Sequence, residues 1–133
     1  MVYGKNSKDR LNEILGIARW LVDWPGDINA YGQNLIVLGY FNIDARGDIL
    51  DKTFLSEGLY VPEDLQSVSR SIFNASKCYD RIAWFNFSGN VPNYRSNSLV
   101  HFVPIALNNR GLSKQELSFM ISDRFSLWAN FRI

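Results

Sequence analysis

The stretch that decides the fold is residues 34–44, which read NLIVLGYFNID. Four consecutive apolar residues, Leu35 to Leu38, favour a buried strand that is covered on both faces, as in the interior of an α/β sheet. The run stops at Gly39, and Tyr40 and Asn42 then place polar groups at the end of the strand. Because ligands bind at strand ends in open α/β sheets, the sequence directs the search for a functional site to this point.

Length and composition set the class of protein. The chain has 133 residues, of which 47% are hydrophobic, and these values are typical of one domain spanning residues 1–133 with a packed core. Its 14 basic and 13 acidic side chains give no electrostatic sign of a dedicated nucleic-acid binder. Cys78 is the one cysteine, which excludes a disulfide framework and makes a cytoplasmic location the default expectation. Neither a signal peptide nor a run of about 20 apolar residues is present, so we expect a soluble protein without a membrane partner.

Periodicity predicts three helices. The first is capped by Asn6 and ended by Pro25-Gly26, and the second covers residues 48–55 and closes near Gly58. The third begins after Ser113, which forms a capping box with Glu116. The first helix has an apolar face with 3/4 spacing, made of Leu11, Ile14, Leu15, Ala18, Leu21 and Val22.

Strands are predicted between these helices. Residues 82–85, 99–103 and 125–131 read as strands, a first strand is placed at Val2-Tyr3, and a long polar loop covers residues 62–77. The resulting order, βαβαββαβ, predicts an α/β fold with one mixed β-sheet and packed helices.

Three short motifs carry a resemblance to a known family. They are Gly39-Tyr40-Phe41-Asn42, Tyr79-Asp80-Arg81-Ile82 and Ser122-Asp123-Arg124. In order and spacing they resemble the C-terminal signatures of the endonuclease/exonuclease/phosphatase superfamily, which has the deoxyribonuclease-I-like fold. The family usually has Gly-Asp-Phe-Asn in the first motif and Ser-Asp-His in the last. The resemblance covers nearly the whole chain and corresponds to one half, the C-terminal half, of a four-layer α/β sandwich.

The resemblance implies Mg²⁺-dependent hydrolysis of a phosphodiester or phosphomonoester. It assigns catalytic roles to Asn42, which would orient water or a phosphate oxygen, to Asp80, which would orient a histidine, and to Asp123, which would also bind the metal. Arg124 replaces that histidine and can bind phosphate together with Asn42, but it cannot exchange a proton at neutral pH. Tyr40 stands at the carboxylate position, where a phenol with a pKa near 10 is a poor base.

Several readings therefore stay open. The first is a degenerate, catalytically impaired domain that retains weak binding of a phosphate-containing or nucleic-acid ligand. The second is an active hydrolase completed by a second protomer or a partner chain, with Asp44 or Asp48 as the replacement carboxylate. The third is a protein-interaction scaffold that uses an apolar face or the 62–77 loop. In each reading the absent half would leave one sheet face uncovered, which predicts self-association as a two-fold dimer.

Some residues have a structural alternative. Asn42 could tie the strand end to a neighbouring loop, and Asp80 could form an ion pair with Arg124. His101 is predicted to be a hydrogen-bonded residue of an apolar strand. The four tryptophans are expected in the core or at an interface, and they are Trp20, Trp24, Trp84 and Trp128.

Overall fold

The computed structural model describes residues 4–24, 35–85 and 92–132. The first helix, α1, spans Ser7–Asp23, and the Asn6 side chain caps it by accepting a hydrogen bond from the Asp9 backbone N–H at 2.9 Å. This confirms the predicted helix and its cap. The predicted stop at Pro25-Gly26 and the strand at Val2-Tyr3 lie outside the described residues.

A three-stranded sheet forms the centre of the fold. Its strands are β1 (Ile36–Tyr40), β2 (Leu59–Tyr60) and β3 (Asp80–Phe85), in the order β1-β3-β2, and both pairings are antiparallel. Helix α2 (Ile49–Leu55) connects β1 to β2, which confirms the second predicted helix, and its N-cap is Asp48. Helix α3 (Glu63–Ser67) follows β2.

Alternation along β3 sends its side chains to two faces. Arg81 reaches α2, where its guanidinium bonds to Asp51, so Ala83 and Phe85 face the same helical side. Trp84 points to the opposite side and is 1% exposed. The buried apolar residues of β3 belong to the hydrophobic core. Helix α1 also contributes buried apolar residues to this core, namely Ile14, Ala18 and Leu21.

A second sheet covers the Trp84 side. It pairs β4 (Asn93–Leu99) with β5 (Leu127–Arg132) in antiparallel register, with an irregularity between Tyr94 and Ser96. The rings of Tyr94 and Phe131 lie 5.4 Å and 5.3 Å from the Trp84 ring, measured between centroids. The described residues thus form an α/β domain with two antiparallel sheets, and the predicted single mixed sheet is not found.

The second sheet changes the expectation of an uncovered sheet face. Tyr94 and Phe131 cover Trp84, so the chain itself fills part of the face that the prediction left to a second copy. The face stays open beside Leu38, which is 69% exposed, and at Tyr60, which is 42% exposed. The prediction that Leu35 to Leu38 is covered on both faces is therefore wrong at Leu38, because no described side chain buries it.

Two further predictions need correction. The loop predicted at 62–77 contains α3, and its Arg70 is fully buried, so it is not a free polar loop. The strand predicted at 99–103 is also wrong, because β4 ends at Leu99 and helix α4 spans Val103–Arg110. Pro104 in the first turn of α4 suits a helix start, where its missing N–H costs nothing.

The C-terminal part follows the sequence prediction. Helix α5 spans Lys114–Met120 with the complete Ser113/Glu116 capping box, and β5 confirms the final strand.

The prediction that His101 lies in an apolar strand is wrong. His101 does not lie in a strand; it is exposed, with its ring centroid 5.6 Å from that of Phe125. No described helix is long and apolar enough to cross a membrane.

Of the four tryptophans, Trp84 confirms the predicted core position. Trp20 on α1 and Trp24 at its C-terminal end lie 4.9 Å apart between ring centroids and are 57% and 49% exposed, and their predicted place at an interface stays a prediction. Trp128 is 43% exposed.

Candidate functional site

The ends of β1 and β3 bring the first two motifs together. Tyr40 lies directly opposite Asp80 in the antiparallel register, and the Phe41 backbone N–H donates to the Tyr79 carbonyl at 2.9 Å. The rings of Tyr40 and Tyr79 are 5.7 Å apart between centroids. The sheet register therefore places a tyrosine from each motif next to one carboxylate.

The third motif reaches the same place through backbone bonds with the segment around Ser71. The Ile72 N–H donates to the Asp123 carbonyl at 3.0 Å, the Phe125 N–H donates to the Arg70 carbonyl at 3.1 Å, and Ser71 forms a β-bridge with Arg124. These bonds hold Asp123 and Arg124 beside β1 and β3. We call the resulting group the strand-end cluster, which consists of Tyr40, Asn42, Tyr79, Asp80, Asp123 and Arg124.

Arg124 stacks on the two tyrosines of the cluster. Its guanidinium carbon lies 4.0 Å from the Tyr40 ring centroid and 5.3 Å from the Tyr79 centroid. A guanidinium at this distance from a ring face is attracted by the ring quadrupole. The stack fixes the position of the arginine without using its N–H groups as hydrogen-bond donors.

The predicted ion pair between Asp80 and Arg124 is not formed. Arg124 instead has Asp123 as its neighbour, with Nε and Oδ1 3.6 Å apart, which is too long for a hydrogen bond. The buried Nε of Arg124 has no hydrogen-bond partner in the described part of the chain, and the Asp80 carboxylate has no ion-pair partner there. Burial raises the pKa of Asp80, and the positive charge of Arg124 partly offsets that rise.

Asn42 is held at the end of β1 by hydrogen bonds from Tyr40 and Arg10. Its φ of 53° is in the left-handed region, which asparagine tolerates better than most residues. Its side-chain oxygen accepts a hydrogen bond from the Tyr40 hydroxyl at 3.0 Å, and its carbonyl accepts one from Arg10 at 3.1 Å. One of the two lone pairs of the side-chain oxygen that would orient water or phosphate is thus used by Tyr40.

The two proposed replacement carboxylates are also engaged. Asp44 accepts a hydrogen bond from Lys77 at 2.9 Å and pairs with Arg10 at 3.3 Å. The Lys77 hydrogen bond is the main reason that the pKa of Asp44 is lowered. Asp48 caps α2 by accepting from the Asp51 backbone N–H at 2.8 Å. Both carboxylates are therefore engaged by neighbouring groups of the chain, and their role as the replacement carboxylate stays a prediction.

The donor set does not fit a magnesium ion. In the ranges that the structure describes, no group of three or more His, Cys, Asp or Glu side chains could hold a metal. Asp123, the predicted metal ligand, is 54% exposed and has the Arg124 guanidinium beside it. A hard divalent cation needs several oxygen ligands, and a neighbouring fixed cation repels it.

Sequence reasoning missed a buried charge network behind the cluster. Arg81 Nη2 donates to Asp51 Oδ1 at 2.6 Å, and the side chains are 0% and 4% exposed. Arg70 is also buried, and it donates to the backbone carbonyls of Leu65 and Val68. Burial lowers the pKa of Arg70, and the neighbouring Arg81 charge adds to this. The alternation of β3 was the available signal, because it places Arg81 on the same face as Ala83.

A shallow depression of about 440 Å³ opens beside the cluster. It lies beside β1 and β3 and the segment that leads into β5. Its described lining combines charged, hydroxyl and apolar side chains, including Asp80, Arg124, Ser122, Leu38, Ile82 and Leu127. The arrangement can bind a small group by polar contacts on one side and apolar contacts on the other.

Comparisons with protein-family models, with curated proteins and with solved structures find no match to this chain.

Proposed function

We propose that this chain is a degenerate domain of the endonuclease/exonuclease/phosphatase kind, with a binding role in place of phosphoester hydrolysis. The proposal rests on the sequence resemblance together with the geometry of the strand-end cluster. The coarse architecture, an α/β domain, is compatible with one half of such a fold.

The observation that carries the proposal is the contact between the two altered motif positions. Tyr40 stands where the family has a carboxylate and Arg124 where it has a histidine, and they stack at 4.0 Å. Two replacements that are distant in sequence thus form one new interaction. A cation–π pair of this kind supports the view that the site was rebuilt as a unit and not left as two unrelated losses.

The rebuilt pair has no group suited to proton transfer near neutral pH. Burial raises the pKa of the Tyr40 phenol further above its ordinary value, although the charge of Arg124 opposes this. A guanidinium keeps its proton at any working pH. General acid–base catalysis requires a group with a pKa close to the working pH, so this pair cannot replace the family's carboxylate and histidine.

Hydrolysis assays test the proposal. The purified chain is incubated with bis-p-nitrophenyl phosphate and with plasmid DNA, in Mg²⁺ or Mn²⁺ and in EDTA. We expect no metal-dependent turnover above background. Metal-dependent turnover that disappears in both Asn42→Ala and Asp123→Ala would overturn the proposal and revive the active-hydrolase reading.

A restored variant makes the assay sharper. Tyr40→Asp combined with Arg124→His reinstates the family's residue types at both positions, while Arg46→His changes an exposed arginine elsewhere. The Asp80 and Asp123 carboxylates remain in the double variant. We expect it to gain affinity for Mn²⁺ in a calorimetric titration, because three carboxylates and an imidazole would then lie near one another without the Arg124 cation. Arg46→His should not gain such affinity.

Self-association remains a separate proposal. The open part of the central sheet includes Leu38 and Tyr60, which are 69% and 42% exposed. A second copy could cover these side chains, because exposed apolar patches are often interaction sites. Size-exclusion chromatography with light scattering tests this, and a clean monomer at micromolar concentration would rule it out; Leu38→Lys should weaken any dimer observed.

A further inference from the structure

The depression beside the strand-end cluster contains two opposite charges that do not pair with each other. Asp80 has no ion-pair partner in the described ranges. Arg124 stacks on Tyr40, and none of its guanidinium N–H groups donates a hydrogen bond to a described residue. Both side chains are only partly exposed, and the Nε of Arg124 is buried without a hydrogen-bond partner in the described ranges. Such groups are stabilised when a ligand supplies the partner.

Apolar side chains form the other part of the depression. Leu38 is 69% exposed, while Ile82 and Leu127 provide more buried apolar surface next to it. Leu38 and Ile82 are register partners across β1 and β3, two positions along each strand from Tyr40 and Asp80. Asp80 and Tyr40, the residue on which Arg124 stacks, therefore share one sheet face with Leu38 and Ile82, about two residues or 7 Å away along the strands.

We infer that this depression binds a small apolar amino acid in its zwitterionic form. The ligand carboxylate would accept hydrogen bonds from Arg124, the ligand ammonium would donate to Asp80, and the aliphatic side chain would lie on Leu38. The volume of about 440 Å³ accommodates a residue of the size of leucine.

Charge complementarity selects this occupant over a simple anion. Arg124 provides one positive charge, but Asp80 lines the same depression and Asp123 lies 3.6 Å from the Arg124 Nε. A phosphate or a plain carboxylate would face the repulsion of both carboxylates. A zwitterion places its ammonium against one of them, so it satisfies opposite charges at the same time.

Amino-acid binding at this depression goes beyond the proposed function and does not depend on it. A chain that hydrolyses phosphoesters could still bind leucine, and a chain without hydrolytic activity could fail to bind it. The outcome of the hydrolysis assay is therefore independent of the outcome of the binding assay.

The test is a titration of ¹⁵N-labelled protein with four probes, followed by two-dimensional NMR. The probes are L-leucine, its methyl ester, N-acetyl-L-leucine and inorganic phosphate. The ester lacks the carboxylate and the N-acetyl compound lacks the ammonium. We expect L-leucine to shift the amides of Gly39, Ile82 and Leu127, and each of the other probes to bind about tenfold more weakly or worse, as for the loss of one charge-assisted hydrogen bond.

Charge-removing variants identify which end of the ligand each residue holds. Arg124→Gln should weaken leucine binding to the level of the methyl ester while leaving the ester unchanged. Asp80→Asn should weaken leucine binding to the level of the N-acetyl compound. Glu63→Gln removes an 85% exposed carboxylate from an ion pair outside the depression and serves as the matched control.

Three results would overturn the inference. The first is no leucine-dependent shift at the lining residues of the wild-type protein. The second is phosphate or N-acetyl-L-leucine binding at least as tightly as leucine, which would indicate an anion site. The third is leucine binding that both charge-removing variants leave unchanged. The wild-type probe series alone decides the first two, so the test does not depend on the variants folding.

Discussion

Replacing Asp51 by asparagine tests the buried charge network most directly. Its carboxylate accepts a hydrogen bond from Arg81 at 2.6 Å and another from the Gly47 backbone N–H at 2.7 Å, and the residue is 3% exposed. Asp51→Asn keeps the shape of the side chain but removes its charge. Arg81 is then left as a buried cation without a counter-charge, and its Nε and Nη1 already lack hydrogen-bond partners in the described part of the chain.

The expected loss is about 3–5 kcal/mol in the free energy of unfolding. Removing one member of a buried ion pair costs roughly this amount, because the other charge stays buried and unpaired. The two charge-assisted hydrogen bonds, at about 1.5–3 kcal/mol each, give a total of the same size. A chain of 133 residues has a total stability of about 7–20 kcal/mol, so the loss is large enough to measure and need not unfold the protein.

Urea denaturation followed by far-ultraviolet circular dichroism measures this loss. Glu63→Gln is the matched control, because it removes an 85% exposed carboxylate from an ion pair with Arg46, and it should change the stability by less than about 1 kcal/mol. The double variant Asp51→Leu with Arg81→Met replaces both charges by apolar groups. It should recover most of the stability lost in Asp51→Asn, since buried pairs can often be exchanged for apolar residues at little cost.

A small effect would refute this reasoning. If Asp51→Asn costs less than about 1 kcal/mol with an unchanged dependence on urea concentration, Arg81 is solvated and not buried as the structure has it. If the double variant is less stable than Asp51→Asn, packing and not charge is the main contribution of the pair.

Other changes test separate parts of the structure. Hydrogen bonding from Lys77 holds the pKa of Asp44 below its ordinary value of 3.8. Wild type should therefore be more stable than Asp44→Asn, and the whole difference should be present above about pH 5. The difference should vanish as the pH falls through the lowered pKa. Burial raises the pKa of Asp80, so its ionised carboxylate destabilises the folded state. Asp80→Asn should therefore be more stable than wild type at neutral pH. Urea denaturation at several pH values should show this gain in stability disappear as the pH falls below the pKa of Asp80 in the unfolded state. Ser113→Ala removes the capping-box hydroxyl and should cost about 1 kcal/mol in the same assay, whereas Ser118→Ala, in an exposed helix position, should cost little. Trp84→Ala should cost about 3–5 kcal/mol, because the side chain is 1% exposed between the two sheets; a loss below about 1 kcal/mol would contradict that packing.

Local signals in the sequence predicted most of the helices and strands. Asn6 and Ser113 each accept a backbone hydrogen bond at the helix start that their side chains predicted. The apolar run ending at Gly39 is a strand. These features depend on residues within a few positions of one another, so the sequence contains the information directly.

Helix α4 shows where local reading fails. Residues 99–103 are apolar enough to suggest a strand, yet the helix begins at Val103 and its first turn contains Pro104. The α3 helix within the supposed polar loop is five residues long, too short for a periodic signal. Short elements of this kind are stabilised by tertiary contacts, such as the hydrogen bonds from Arg70 to the carbonyls at the end of α3.

The strand-end cluster was predicted in part. The sequence pointed to Asn42, Asp80, Asp123 and Arg124, and the structure brings these residues to neighbouring places around Tyr40. It did not indicate which would interact. The expected ion pair between Asp80 and Arg124 is absent, because the arginine stacks on aromatic rings supplied by two other strand ends.

The sequence by itself determined the α/β class, the helix caps at Asn6 and Ser113 and the strand that ends near Gly39. Only the tertiary structure decided that the pairings are antiparallel, that β4 and β5 cover Trp84, and that Arg81 lies buried against Asp51. The physical reason is that caps and periodicity act between neighbours in the chain. Sheet pairing, aromatic stacking and charge compensation instead depend on which segments that are distant in sequence come into contact. A residue in a strand can face either side of the sheet, and its neighbours in sequence do not indicate which distant residue it will contact.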